Sequence, residues 1–389
     1  MTYRPFGSDL VYLDYNATAP TRPEALEATL AAMRTVGNAS STHRSGRDAS
    51  DRVDLARRQV GDLLNCSSGE IVFTSGATEA NNLALRAAFA RGGKLVTSAV
   101  EHPAVLETAR ALTAERPGSL ALVPVNEYGL VDLDDLRATL ATGDVAIVSL
   151  MAANNETGVL TDLAPIVEAA HERGALVHTD ATQLIGRLPI DLAEMDVDLL
   201  SLSAHKFGGP QGVGALFTRR GISLPYRPLL IGGGQERGWR AGTLNVAGIA
   251  GAGAAAEAAR VALAAEVSRV AQLRDALERS LVEQVGDCWV NGKLDQRLPG
   301  VSSITFGGAP ADAVLAAMPD VAASEGSACS SGAPTPSHVL LAMGRSREEA
   351  DSTVRFSLGY ATTASDIDRA ASSVVRAVRQ VRAALAAPL

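Results

Sequence analysis

Lys206 stands in SLSAHKFGGPQGVG, directly after an apolar, β-rich run and just ahead of a cluster of glycines. A lysine at such a strand end is costly to bury as a cation, so its pKa should fall and its amine become a nucleophile toward carbonyls. Taken singly, a surface lysine at a strand end would read the same. Asp180 closes a second apolar run, ALVHTD, where a carboxylate could cap a helix or hold a proton on a ring nitrogen. After IVFTS comes GATEANN, a glycine and small residues opening a helix whose first N–H groups suit a phosphate, though a plain strand-to-helix turn has the same composition. His102, in EHPAVL, follows KLVTS and can stack on a ring face or simply start a helix. A phosphate-type helix start, an acid and a lysine at strand ends are together the parts that hold pyridoxal 5′-phosphate. Amides dock the phosphate, the acid keeps the pyridine nitrogen protonated, and the lysine forms the Schiff base. One thiol stands apart: Cys329 lies in SEGSACSSGAPTP, among Ser, Gly, Ala and Pro, with no apolar body to bury it.

These residues need a frame. IVFTS (71–75), KLVTS (94–98), LALVPV (120–125), VAIVSL (145–150), ALVHTD (175–180) and VDLLSLS (197–203) are mostly continuously apolar, as strands covered on both faces should be. Helical patterns lie between them; Val53, Ala56, Val60, Leu63 and Leu64 make one stripe. The alternation predicts an α/β fold with a mainly parallel sheet, whose ligands bind outside the carboxyl ends of the strands. From about residue 245 the pattern changes to a long Ala-rich helix, then VSSITFGG and VRFSLGY strands and a closing helix near 365–386, predicting a smaller α+β domain.

With 389 residues, two domains are the expectation. The balance of 35 basic to 43 acidic residues, without a Lys/Arg run, argues against direct nucleic-acid or membrane-surface binding. Cys66, Cys288 and Cys329 are odd in number and widely spaced, which disfavours a disulfide framework or a metal site. Cys66 reads as lying in a polar turn and Cys288 in a strand. MTYRPFGSDL has no apolar signal-type core, and the most apolar stretch, VAGIAGAGAAAEAARVALAAE, is interrupted by Glu257 and Arg260. The expectation is a soluble, cytoplasmic protein.

Taken in order, YLDYNATAP, GNASSTHRSGR, FTSGATEANNLAL, EHPAVL, NNETG, HTDATQ, SAHKFGGPQGVGAL, GGGQERGWRAGTLN, GSACSSG and VRFSLG span nearly the whole chain. The chain resembles the NifS-like cysteine desulfurases, class V members of the fold-type I pyridoxal-phosphate enzymes. That resemblance implies a large domain (15–262) with a mainly parallel seven-stranded sheet, and a small domain (1–14 and 263–389) carrying the cysteine loop. It implies that Lys206 bonds the cofactor and moves the Cα proton, that Asp180 pairs with the pyridine nitrogen, and that Gln183 and Asn155 lie near the ring hydroxyl and substrate. Ala77, Thr78, Ser203 and His205 would bind the phosphate, joined by Thr243 from a second copy in a homodimer. His102 would stack on the ring and move protons, Arg355 would fork onto the substrate carboxylate, and Cys329 would take sulfur from L-cysteine and pass it to an acceptor protein. No metal is implied. The chain departs from the family pattern at Leu244, where an acidic residue is usual. The rivals within the fold are a class V aminotransferase and a selenocysteine lyase, and GSACSSG favours the desulfurase; a binding protein without turnover would have no use for Lys206, Asp180 and Cys329 together. Iron–sulfur assembly, tRNA thiolation and DNA phosphorothioation are all open as destinations of the sulfur.

Overall fold

The computed structural model describes residues 9–222, 224–225, 228–326 and 335–387. The chain opens with β1 (Val11–Tyr12), α1 (Pro23–Met33) and α2 (Arg44–Leu64). Then come β2 (Ile71–Thr74), α3 (Ala77–Phe89), β3 (Lys94–Ser98), α4 (Pro103–Thr113), β4 (Leu120–Val123), α5 (Leu133–Ala141), β5 (Val145–Ser149), α6 (Ala164–His171), β6 (Leu176–Asp180), β7 (Leu199–Ser203) and β8 (Gly214–Thr218). Among the described residues, seven strands form one sheet in the order β2-β8-β7-β6-β5-β3-β4. Only β8 in that sheet runs antiparallel to its neighbours. β2, β5, β6 and β7 are buried at every position, as strands sandwiched between helix layers must be. The stripe predicted on α2 is the face it buries: Val53, Ala56, Val60, Leu63 and Leu64 all belong to the large core.

β8 lies outside the six predicted runs, because its GALFT follows Gly208, Gly209 and Gly212 and reads as loop. Its first residue explains the glycine there. A Cβ on Gly214 would fall 2.5 Å from the Leu202 carbonyl oxygen and 2.6 Å from Gly76 Cα, so only glycine lets β8 pass this close to the turn that opens α3.

α7 (Val246–Val285) is the Ala-rich stretch and joins two cores. Ile249, Ala252, Ala255, Ala256 and Ala259 pack into the large one, while Val270, Leu277 and Leu281 pack into a second. By length and composition α7 could cross a membrane, but half of its most apolar window is buried inside the protein, in these cores. The chain continues through β9 (Cys288–Val290), β10 (Val301–Phe306), α8 (Ala311–Ala317), β11 (Val321–Ala322), β12 (Ser324–Glu325), α9 (His338–Ala342), α10 (Arg347–Asp351), β13 (Thr353–Ser357) and α11 (Ala364–Ala386); α9 and α10 pack in a separate cluster with Val100, while β10, α8, β13 and α11 supply most of the second core. Four of these strands form an antiparallel sheet, β12-β13-β10-β9, and β1 pairs in parallel with β11, bringing Val11 and Leu13 into the same core.

Candidate active site

The C-terminal ends of β2, β6 and β7 open into a cavity of ≈ 420 Å³. Nine of the residues singled out in the sequence line it: Ala77, Thr78, His102, Asn155, Asp180, Gln183, Ser203, His205 and Lys206.

Ala77 and Thr78 form the first turn of α3, behind Gly76. No side chain caps this end, so the positive pole of a 13-residue helix is presented to the cavity. Ser203 ends β7, and His205 and Lys206 sit in the 3₁₀ turn that follows it. The His205 Nδ1 lies 3.0 Å from Thr18 Oγ1. Burial, then the charges of Lys206 and Arg187, push the His205 pKa down to about 4, so the ring is neutral at pH 7. Lys206 Nζ donates to the backbone carbonyls of Asn16 and Ala17, which hold the amine at the cavity wall.

Asp180, at the end of β6, is buried and held from two sides. Its Oδ2 accepts from Asn81 Nδ2 at 2.7 Å and its Oδ1 from the Thr182 N–H at 2.9 Å. Asn81 is a residue the sequence reading missed. Its signal was periodicity: four residues after Ala77, it shares that residue's helix face and so points at the same cavity. Asn81→Ala is expected to weaken cofactor retention about 10-fold or more, the equivalent of the ~1.5 kcal/mol typical of a hydrogen bond to a charged group. Dialysis followed by cofactor absorbance checks it, and wild-type retention would show that Asp180 needs no orienting partner.

His102 caps α4, its Nδ1 accepting the Ala104 N–H at 3.0 Å. That bond fixes the ring and leaves the neutral ring's proton on Nε2; burial, chiefly, lowers the pKa. The preceding Glu101, also unremarked in the sequence, is pushed up to about 8 by burial. One of its oxygens accepts from Met151 N–H (2.7 Å) and Ser98 Oγ (3.2 Å), while Oε2 is buried without a partner.

Four polar atoms on the cavity residues are buried and unsatisfied: Asn81 Oδ1, Asn155 Oδ1, Gln183 Oε1 and Thr182 Oγ1. Such groups call for a polar ligand. With an uncapped helix start for an anion, an oriented carboxylate for a ring nitrogen and a lysine amine, the donor set fits pyridoxal 5′-phosphate.

Two predicted residues lie off the cavity. Arg355, on β13 and fully buried, stands behind Asn155: Nη1 donates to the Asn155 carbonyl at 3.0 Å and Nη2 pairs with Asp14 Oδ1 at 2.9 Å, while Nε is buried without a partner. Its fork is thus already largely engaged. Thr243 is exposed, on a segment tied to α3 through Arg240 and Glu79 (3.0 Å); its neighbour Leu244 packs against the large core. Cys329 lies outside the described residues. Cys66 lies in the turn that follows α2, where its polar neighbours place it, and it is half-buried against the large core because the chain turns back under α2 there, with the Cys66 N–H donating to the Gly61 carbonyl.

Comparison with known proteins extends this reading. The aminotransferase class-V family matches residues 11–370. A cysteine desulfurase of Frankia sp. (strain EuIK1) is 45% identical over 387 residues, covering 96% of this chain and 92% of the relative. Among solved structures, a NifS-like protein superposes with a TM-score of 0.87 at 34% identity, over 95% of this chain and 100% of the other. SspA in complex with cysteine gives 0.78 at 32%, over 90% and 98%. The chain belongs to the aminotransferase class-V family of fold-type I pyridoxal-phosphate enzymes, on its cysteine desulfurase branch.

Proposed function

We infer that this protein is a cysteine desulfurase that takes the sulfur of L-cysteine onto Cys329, releases L-alanine and hands the sulfur to an acceptor protein. The observation that carries the reading is the meeting of Lys206, Asp180 and His102 with four unsatisfied polar atoms in one cavity. When bound, pyridoxal 5′-phosphate supplies an electron sink for the substrate's Cα. Asp180, oriented by Asn81, holds a proton at the ring nitrogen; the first turn of α3, with Ser203 and His205, takes the phosphate. Lys206 Nζ is the group placed to bond the cofactor and to move the proton at Cα. His102, with its proton on Nε2, covers the ring and can deliver that proton. Asn155, backed by Arg355, receives the substrate carboxylate end.

In the sulfur step the Cys329 thiolate attacks the substrate Sγ. An S–S bond forms, the Cβ–S bond breaks, and its electron pair becomes a C–H bond on protonation, so cysteine and a thiol become alanine and a persulfide with no outside oxidant. The exposed Thr243 fits a residue completing the phosphate site of a second copy, and the reading takes the working form to be a homodimer in the cytoplasm.

With L-cysteine and dithiothreitol, the enzyme is expected to form L-alanine and sulfide in equal amounts. Pyruvate in place of alanine, or amino transfer to an oxoacid without sulfide, would sink the reading in favour of another class-V reaction.

A further inference from the structure

Residues 154–158 make one tight turn that faces two ways. Asn154 Oδ1 accepts the N–H groups of Glu156 and Thr157, both at 2.9 Å, and the Gly158 N–H returns to the Asn154 carbonyl at 3.0 Å. Asn155 lines the cavity. The next side chain, Glu156, is 3% exposed, and its Oε2 accepts a hydrogen bond from the Ser337 hydroxyl. Ser337 in turn caps α9, accepting the Leu340 N–H at 3.1 Å. On the other side of the same carboxylate is Gly326: a Cβ built there would stand 2.5 Å from Glu156 Oε2, and its removal is what lets the backbone come so close. Residues 326 and 337 therefore meet at one oxygen, and Cys329 lies between them in the sequence.

The neighbouring contacts run the same way. His338 Nε2 donates to the Glu101 carbonyl at 2.9 Å, next to His102, and Val339, Leu340 and Met343 pack with Val100. Among the described residues Glu156 forms no ion pair, so a carboxyl is buried here at a cost an apolar side chain would avoid.

Resting on the desulfurase reading above, we propose that Glu156 is a positioning residue for sulfur transfer: it holds Ser337 by a hydrogen bond and abuts Gly326, both beside the turn that carries Asn155, and so fixes the base from which Cys329 reaches the substrate sulfur. A base fixed at both positions raises the effective concentration, at the reacting atom, of a group carried between them. The role is separable from cofactor chemistry, because exchange of the Cα hydrogen of L-alanine with D₂O uses Lys206 and the cofactor but no thiol.

The test compares the holoenzymes of Glu156→Ala, Glu156→Gln, Ser337→Ala and Gly326→Ala. Glu156→Ala and Ser337→Ala are expected to lower kcat for alanine formation from L-cysteine about 10-fold or more, with KM and the rate of L-alanine Cα exchange within about twofold of wild type. Glu156→Gln, which keeps an acceptor for Ser337, should recover part of kcat. Gly326→Ala should be slow alone yet add nothing in combination with Glu156→Ala, since the clash is then gone. Unchanged kcat in the Glu156→Ala and Ser337→Ala holoenzymes overturns the proposal, as does an equal loss of transfer and exchange, which would make Glu156 a support of the cofactor site. Failure of the underlying reading has a different signature: alanine formation at the wild-type rate by Cys329→Ser, which overturns both.

Discussion

Lys206→Ala should lose the yellow cofactor absorbance and form alanine at least ~10⁴-fold more slowly, since it removes both the amine that bonds the cofactor and the base that moves the Cα proton. The fold should survive. Lys206 lies in a short turn at the rim of the cavity, where it donates to the backbone carbonyls of Asn16 and Ala17. Its loss opens no hole in either hydrophobic core. Absorbance, circular dichroism and alanine assay of the same preparation give the result; normal alanine production by the variant would remove Lys206 from the mechanism.

For the thiol, Cys329→Ser is expected to keep the cofactor and bind L-cysteine, yet to lower alanine formation ~10³-fold and leave no persulfide on the protein. The other two cysteines are poor substitutes. Burial pushes the Cys66 thiol up to about 12 and also raises that of Cys288, so both are protonated at the pH of assay and weakly nucleophilic. Cys288 is further occupied, its Sγ donating to the Leu281 carbonyl at 3.8 Å. Cys66→Ser and Cys288→Ser should therefore retain activity within about twofold, with a modest stability loss at Cys66, where a hydroxyl replaces sulfur against the large core. Mass spectrometry after L-cysteine without reductant decides between the sites. One added sulfur on the Cys329 peptide supports the assignment; the same adduct on Cys66 or Cys288, with Cys329→Ser still active, overturns it.

Much of the frame was legible without coordinates because its signals are local. Continuous apolar runs marked six strands of the large sheet, and a stripe of five residues marked the buried face of α2. Asp180, Ser203 and Lys206 could be picked out because they interrupt or follow such runs at the carboxyl ends, where a parallel sheet leaves its binding crevice. What local pattern cannot carry is pairing between distant segments. β8 stayed hidden because the glycines around its start read as loop, yet one of them, Gly214, is what lets it pass beside Gly76, more than a hundred residues earlier. Asn81 on Asp180, the backbone carbonyls of Asn16 and Ala17 on Lys206, and Asp14 on Arg355 have no special mark in the sequence until folding brings them to their partners. The same holds for Glu156. In sequence it is one acid in a polar turn, and only the tertiary structure, by carrying Gly326 and Ser337 to the same buried oxygen, makes its position a property of the segment that bears Cys329. Residue type and spacing thus determined which chemistry the chain could perform, while contacts across long sequence separations decided which side chains orient it, because those contacts depend on how the two cores come together rather than on any periodicity within a single element.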